Sequence, residues 1–407
     1  MTEAKEDTPL NPIKAGLPRR DWILQPFISL LTVALLTGSM SLTARRMFPE
    51  WNPSVFSCMV LNDSSTGERG IPNCVTKGKM SESQPVEYRF NSSGYRADID
   101  FGPKTPGTYR IVMGGTSIAL GLFVKREDTF AALLPEELSR QTGRRVELYN
   151  QAWAGVPRVF DLRFNQALAN NPDLILWVLT PWDIQNASFL IPEPPPPPDR
   201  RSSLARAGSK IKAQFATQSF SSVLSNILKS GFETVSPGST NMLRHFVYQS
   251  QSQYVKGYLA ADDEESGYLK AEPSMAWQSH LRQFDTYVAD VEERARIAGV
   301  PLVTVLVPFR AQAAMASMGQ WPVGYDPYKL DNELRTIITR HGGAYIDILP
   351  YYRDIPNPER GYFPVDPHLN ADGHSIVSRL LAKELTSGAV PTLKVDSGQQ
   401  TALEQGK

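Results

Sequence analysis

The sequence predicts an α/β protein with a central parallel sheet covered by helices on both faces. Three observations carry that expectation. Between residues 109 and 385, short apolar segments rich in β-branched residues alternate with amphipathic stretches of helical length, the pattern of doubly buried strands joined by crossover helices. The apolar segment 109–113 breaks into Gly114-Gly115-Thr116-Ser117 and turns apolar again at Ile118, which reads as a strand ending in a tight turn that opens a helix. The residues with chemical potential, Ser117, Gly155, Asp183 and His368, each follow a predicted strand. Sheets of this kind bind ligands at the carboxyl ends of their strands, near the point where strand order reverses.

The chain has 407 residues, room for one full-sized core with additions. Lys+Arg and Asp+Glu both number 42, so there is no global basic field and no nucleic-acid partner is expected. Residues 1–21 are polar, contain Pro9, Pro12 and Pro18, and are expected to form a disordered cytoplasmic tail. Between Trp22 and Ala44 no residue is charged, and a helix of that length crosses a hydrocarbon core of about 30 Å. Leu42 occupies a position where a signal-peptide cut after Ala44 prefers a small residue, which favours an uncleaved signal anchor. Lys14, Arg19 and Arg20 on one side face Arg45 and Arg46 on the other, so orientation is weakly specified.

Residues 45–106 hold both cysteines, Cys58 and Cys74, with no histidine between them and no metal-ligand spacing. In an exported chain they read as one disulfide, worth about 3 kcal/mol in the loop-entropy view; the other reading is two unrelated free thiols. A disulfide favours export of the C-terminal part. The segment 88–96 alternates aromatic and polar residues and reads as an edge strand and turn, with Arg96 in a packing role. Strands are expected at 109–113, 146–149, 174–179, 302–307 and 344–348, and helices at 129–141, 159–169, 277–298, 328–340 and 375–385. They define one domain over residues 107–388 with an insertion at 190–276. That insertion opens with a proline run at 192–199, an extended stiff spacer. A stretch at 203–232 follows with apolar residues at helical spacing, suited to cap the sheet or to rest on a membrane surface. Residues 389–407 are expected to be a disordered tail.

Ser117 opens a predicted helix, where N–H groups lack intrahelical partners and the dipole is positive, so an oxyanion formed there meets ready donors. The plainer reading makes Thr116 or Ser117 an N-cap and the glycines a tight turn. Near the other end, Asp366-Pro-His368-Leu-Asn370-Ala-Asp-Gly-His374 leads into the last amphipathic helix, so an acid and an imidazole leave one loop. Acyl transfer by serine needs a base within reach, a group that orients it, and donors aimed at the tetrahedral oxyanion. Ser117 is the candidate nucleophile, His368 the base and Asp366 its orienting carboxylate. His374 reads as structural and Asn370 as a brace of the loop. Trp182 reads equally as a sugar-stacking platform or as packing. No histidine–carboxylate set has the spacing of a metal site, so neither metal nor cofactor is expected.

These blocks resemble the SGNH (GDSL-type) hydrolase superfamily over residues 88–385. Within it they resemble the membrane-anchored bacterial branch that includes O-acetyltransferase-like proteins of exopolysaccharide and alginate assembly. The resemblance implies a three-layer, flavodoxin-like fold. Its Gly-x-Ser falls on Gly115-Thr-Ser117, its second-block glycine on Gly155 in Asn150-Gln-Ala-Trp-Ala-Gly155, and its acid–base pair on Asp366 and His368. Oxyanion donors are then the backbone N–H groups of Ser117 and Gly155, with Asn150, Trp182 and Asp183 as candidate substrate contacts. Thr116 stands where the family usually has aspartate, and Thr180-Pro-Trp182-Asp183 places Trp182 where it has an asparagine donor, a part that Asn150 or Gln185 could take. Asp366 lies two residues before His368, the spacing of the alginate-type enzymes.

The implied function is a membrane-tethered, exported serine esterase or O-acetyltransferase acting on acyl esters of a cell-surface polysaccharide. It implies a place in the bacterial inner membrane with the catalytic domain on the periplasmic side, and a membrane acyl-donor protein as partner. The alternative is a catalytically weak protein of the same fold that binds glycan or scaffolds an export complex, and Trp182 is its main support.

Overall fold

The computed structural model describes residues 19–48, 57–60, 68–79, 82–155, 157–187, 239–260 and 263–394. Of the expected tail at 1–21, residues 1–18 lie outside the described residues while 19–21 belong to the first helix; the proline run at 192–199, the stretch at 203–232 and residues 395–407 also lie outside the described residues. The first element is helix α1, Arg19–Met47. Within it Leu24–Met47 is long and apolar enough to cross a membrane, and Phe27, Leu30, Leu35 and Leu36 stand exposed along it. Such a flank is costly in water and suits lipid. The N-terminal extension follows as two small antiparallel ribbons. Strand β1, Met59–Val60, pairs with β2, Arg69–Gly70; β3, Val75–Gly78, pairs with β4, Val86–Arg89. Val86 and Tyr88 of β4 point inward while Glu87 and Arg89 face out, the alternation expected of a one-sided strand. A disulfide joins Cys58 to Cys74 across this extension, with 5.7 Å between their Cα atoms.

The α/β unit then runs in order. Strand β5 is Thr108–Gly115, followed by the single-turn helix α2, Ser117–Leu120, and helix α3, Phe130–Thr142. Strand β6 is Arg145–Asn150, helix α4 Arg158–Ala169, strand β7 Leu174–Leu179 and the short helix α5 Pro181–Gln185. The insertion contributes α6, Ser239–Val247, α7, Gln251–Leu259, and the turn-length α8, Asp263–Ser266. The long helix α9, Met275–Ala298, leads to strand β8, Leu302–Leu306, then α10, Arg310–Met318, α11, Lys329–Arg340, strand β9, Ala344–Ile346, and α12, Ala371–Glu384.

The five strands β5 to β9 form one parallel sheet in the order β6-β5-β7-β8-β9, which is the expected three-layer, flavodoxin-like arrangement. Strand β7 shows why both faces are covered. Leu174, Leu176 and Val178 enter one core with Phe130, Leu134 and Leu138 of α3 and Val377 and Leu381 of α12. Ile175, Trp177 and Leu179 enter the other with Phe160 and Phe164 of α4, Val288 and Val291 of α9, and Leu334 and Ile338 of α11. A strand apolar at every position has side chains for two cores, and period-two geometry delivers them. From β5 the chain crosses to β6 on one side and later to β7 on the other. The crevice outside the carboxyl ends of β5 and β7 is therefore the switch point of the sheet.

One expectation is corrected. The chain stays ordered beyond Ser387: Val390 and Leu393 are buried in the first core, and the Tyr109 hydroxyl lies 2.9 Å from that of Thr392. Apolar side chains just past the last helix tie the segment down to Lys394.

Removing the Cys58–Cys74 bond by a double Cys→Ser change is expected to lower stability by about 3 kcal/mol. Thermal unfolding of the detergent-solubilised chain, with a reduced parent sample giving the same loss, measures it.

Candidate active site

Strand β5 delivers the serine. Its last residue, Gly115, has φ +154°, and a Cβ there would stand 2.6 Å from the Val178 carbonyl oxygen and 2.7 Å from the Ala119 side chain. Only glycine lets the ends of β5 and β7 and the first turn of α2 approach this closely. Thr116 then takes the extended N-cap conformation without a side-chain cap, and Ser117 is the first helical residue. The far end of α2 is satisfied by Arg96. Its buried guanidinium donates to the carbonyl oxygens of Leu120 at 3.1 Å, Gly121 at 2.5 Å and Val124 at 2.6 Å. A cation on orphan carbonyls stabilises a helix C-terminus. Arg96 also lies 4.5 Å over the Tyr88 ring, and the Tyr88 hydroxyl accepts the Phe123 N–H at 3.0 Å.

The acid and the imidazole come from the loop before α12. Ser117 Oγ lies 2.7 Å from His368 Nε2, and His368 Nδ1 lies 2.6 Å from Asp366 Oδ1. The same Oδ1 accepts the His368 backbone N–H at 3.0 Å, so the two-residue spacing lets one carboxylate hold both the ring and the main chain of the histidine. The loop is braced in turn. Asn370 caps α12 by accepting the Gly373 N–H at 3.1 Å and donates to the Arg360 carbonyl at 2.6 Å. The Phe363 N–H donates to the His368 carbonyl at 3.1 Å. Phe123 sets its ring edge-on to the imidazole with centroids 4.8 Å apart. It does so from a left-handed backbone with φ +70°, a strained setting for a bulky side chain that the surrounding packing must impose.

These groups open on a cleft of about 350 Å³ lined by Ser117, Leu122, Phe123, Gly155, Trp182 and His368, among others. Of the candidate substrate contacts only Trp182 lines it. Asn150 does not: its amide donates to the Ala119 carbonyl at 2.9 Å and its Oδ1 accepts the Ala152 N–H at 3.0 Å. It is buried and ties β6 to α2, so the expectation of a substrate contact or oxyanion donor there is corrected. Asp183 is buried behind the wall, where one oxygen accepts from the Thr180 N–H at 2.8 Å, the Thr180 hydroxyl at 2.6 Å and the Thr116 hydroxyl at 3.2 Å. Neither Asp183 nor Gln185 lines the cleft.

Burial raises the Asp183 carboxyl to about 6 against the three donated hydrogen bonds. His374 is buried too, and desolvation, with the Arg96 guanidinium nearby, holds it down at about 3. It stays neutral, and its Nδ1 accepts the Phe130 N–H at 3.3 Å. Sequence reasoning missed Glu82, Phe123, Leu122 and Phe309, which lie near or on the site. Nothing in their local pattern marks them, because their approach is set by tertiary packing. No group of three or more His, Cys, Asp or Glu suited to a metal occurs among the described residues.

No protein-family model matches the chain, and no curated protein matches it. Solved structures similar to it include TesA, 10% identical over 68% of this chain and 97% of that one, with a TM-score of 0.35. They also include a candidate SGNH hydrolase from Slackia heliotrinireducens, 13% identical over 68% and 99%, TM-score 0.33. A third is the lipase/acylhydrolase from Enterococcus faecalis, 11% identical over 68% and 95%, TM-score 0.32.

Because Asp183 binds its proton more tightly folded than unfolded, its ionisation opposes folding. Stability falls as pH rises from near 4 through about 6, by about 3 kcal/mol. An Asp183→Asn variant is expected to lose that part of the slope, read as the difference between parent and variant in urea unfolding across this range.

Proposed function

We propose that this chain is an SGNH-type serine hydrolase, held at a membrane by α1, that transfers acyl groups through an acyl-enzyme on Ser117. The observation that carries the reading is the unbroken relay from Ser117 Oγ to His368 Nε2 at 2.7 Å and from His368 Nδ1 to Asp366 Oδ1 at 2.6 Å, set at the rim of a cleft. As Oγ attacks an ester carbonyl, Nε2 takes its proton, and Asp366 keeps the ring oriented and offsets the imidazolium charge. The oxyanion meets the backbone N–H groups of Ser117 and Gly155, the first at a helix N-terminus. The imidazolium then passes its proton to the leaving alcohol. Deacylation repeats the sequence with water, or with a sugar hydroxyl, as the attacking group.

The substrate we propose is an acyl ester of a cell-surface polysaccharide outside the inner membrane. The disulfide supports an oxidising compartment, and tethering by α1 keeps the site near a polymer leaving the cell. Trp182 and Phe309 on the cleft wall present faces on which a sugar ring can stack. A membrane acyl-donor protein is the partner of a transferase version of the same reaction.

A serine-directed fluorophosphonate probe is expected to label the solubilised chain and not its Ser117→Ala variant. Equal or absent labelling would favour the alternative, a glycan-binding or scaffold protein. With a small activated acetyl ester, His368→Ala is expected to lower kcat by about 10³-fold or more with little change in KM. Adding an acceptor sugar to the same assay separates transfer from hydrolysis by the product formed.

A further inference from the structure

The relay works only while the backbone of the Asp366 loop holds its place, and one carboxylate outside the triad grips that backbone. Glu82 lies in the extension just before β4, and its side chain is only 3% exposed. Its Oε2 accepts two consecutive main-chain N–H groups, from Val365 at 2.8 Å and from Asp366 itself at 3.0 Å. Its Oε1 lies 2.5 Å from His245 Nδ1 on α6. The His245 ring in turn packs edge-on against Phe48, just past the end of α1, with centroids 6.2 Å apart. On the other flank Arg310 donates to the carbonyl oxygens of Pro364 and Tyr248. The peptide units from Pro364 to Asp366 are thus gripped from both sides, and among the described residues it is Glu82 that accepts from the two N–H groups leading into the catalytic acid.

We propose that Glu82 is a positioning residue of the relay. It touches neither the substrate nor the transferred proton; it fixes the main chain of Asp366 and, through it, the angle at which Asp366 Oδ1 meets His368. Its removal leaves two partly buried N–H groups without a strong acceptor, and the loop shifts to find others. A displacement well short of 1 Å is enough to weaken a serine–imidazole contact that acts only when aligned. His245 holds the second oxygen and so fixes the carboxylate itself. This inference rests on the serine-hydrolase reading for its consequence in catalysis, and on geometry alone for the contact.

The test uses the full-length chain in detergent. E82L keeps the volume and removes the acceptor, whereas E82Q keeps one oxygen that can accept both N–H groups. E82L is expected to lower kcat on a small ester by roughly 10–100-fold with KM unchanged, and E82Q to recover most of that loss. A kcat for E82L within about twofold of the parent, or equal losses in E82L and E82Q, overturns the proposal. Should E82L fail to fold, E82D takes its place, since withdrawing the oxygen by one methylene breaks the same bonds. A second readout is independent of turnover: the low-field proton resonance of His368 Nδ1–H, identified by its absence in H368A. It is expected to persist in E82Q and to shift or vanish in E82L; an unchanged resonance in E82L overturns the proposal. If the parent neither turns over ester nor labels at Ser117, the hydrolase reading fails alone, and the resonance still decides the role of Glu82.

Discussion

The contact between α3 and α12 is the constraint on which the site depends. Ser117 and His368 are 251 positions apart in the chain; Ser117 opens α2, after which the chain enters α3, and His368 lies in the loop that runs directly into α12. At their N-terminal ends the Phe130 N–H donates to His374 Nδ1, with the two rings 5.2 Å apart. At the far end the Thr386 hydroxyl donates to Gln141 at 3.0 Å. Gly373 lets α12 seat against the preceding loop, since a Cβ there would lie 1.9 Å from the Gly361 carbonyl oxygen. A ring nitrogen accepts only while unprotonated, and burial keeps His374 in that state. The second histidine of the motif thus serves the first: it clasps α3, which lies beyond the serine's own turn, to α12, which follows His368.

The sheet and most of its helices were legible because their signals are local. Strand β7 is apolar at every position, and α11 has polar and apolar faces that differ sharply, so period alone places them. Helix α10 was missed for the opposite reason. Residues 310–316 are buried all round, which erases the contrast between faces that marks a helix in sequence. Ser117, His368 and Asp366 could be read because a turn motif and a short acid–imidazole motif are also local. Asn150 was misread because its chemistry suits a donor, while its actual partner, the Ala119 carbonyl, comes from the neighbouring strand's helix. Glu82 was invisible, since an isolated acid in an extension carries no pattern until a loop from residue 365 onward closes over it.

That extension does more than link α1 to the sheet. Arg96 satisfies the carbonyls at the end of α2, Tyr88 receives the N–H of the strained Phe123, and Phe123 faces the imidazole. Strand β4 and the turn that follows it therefore support the serine side and the histidine side at once. The disulfide shortens the freedom of this segment in the unfolded chain, which suits an element whose few hydrogen bonds must hold long-range partners in register.

The departures from the resembled motif are coupled rather than independent. Where an aspartate usually precedes the serine, Thr116 donates its hydroxyl to Asp183 at 3.2 Å, and Asp183 belongs to the block that follows β7. The acidic group of the switch-point crevice is retained but moved to the neighbouring strand, where its oxygen also closes the first turn of α5 through Thr180. That move fixes the direction of the residue next door: with Asp183 turned inward as a cap, Trp182, one position earlier, is directed to the cleft wall. Wall and anchor are thus two faces of one turn. The position that in the resembled motif carries an amide here places an aromatic side chain on the cleft wall, leaving oxyanion stabilisation in the proposed mechanism to backbone N–H groups.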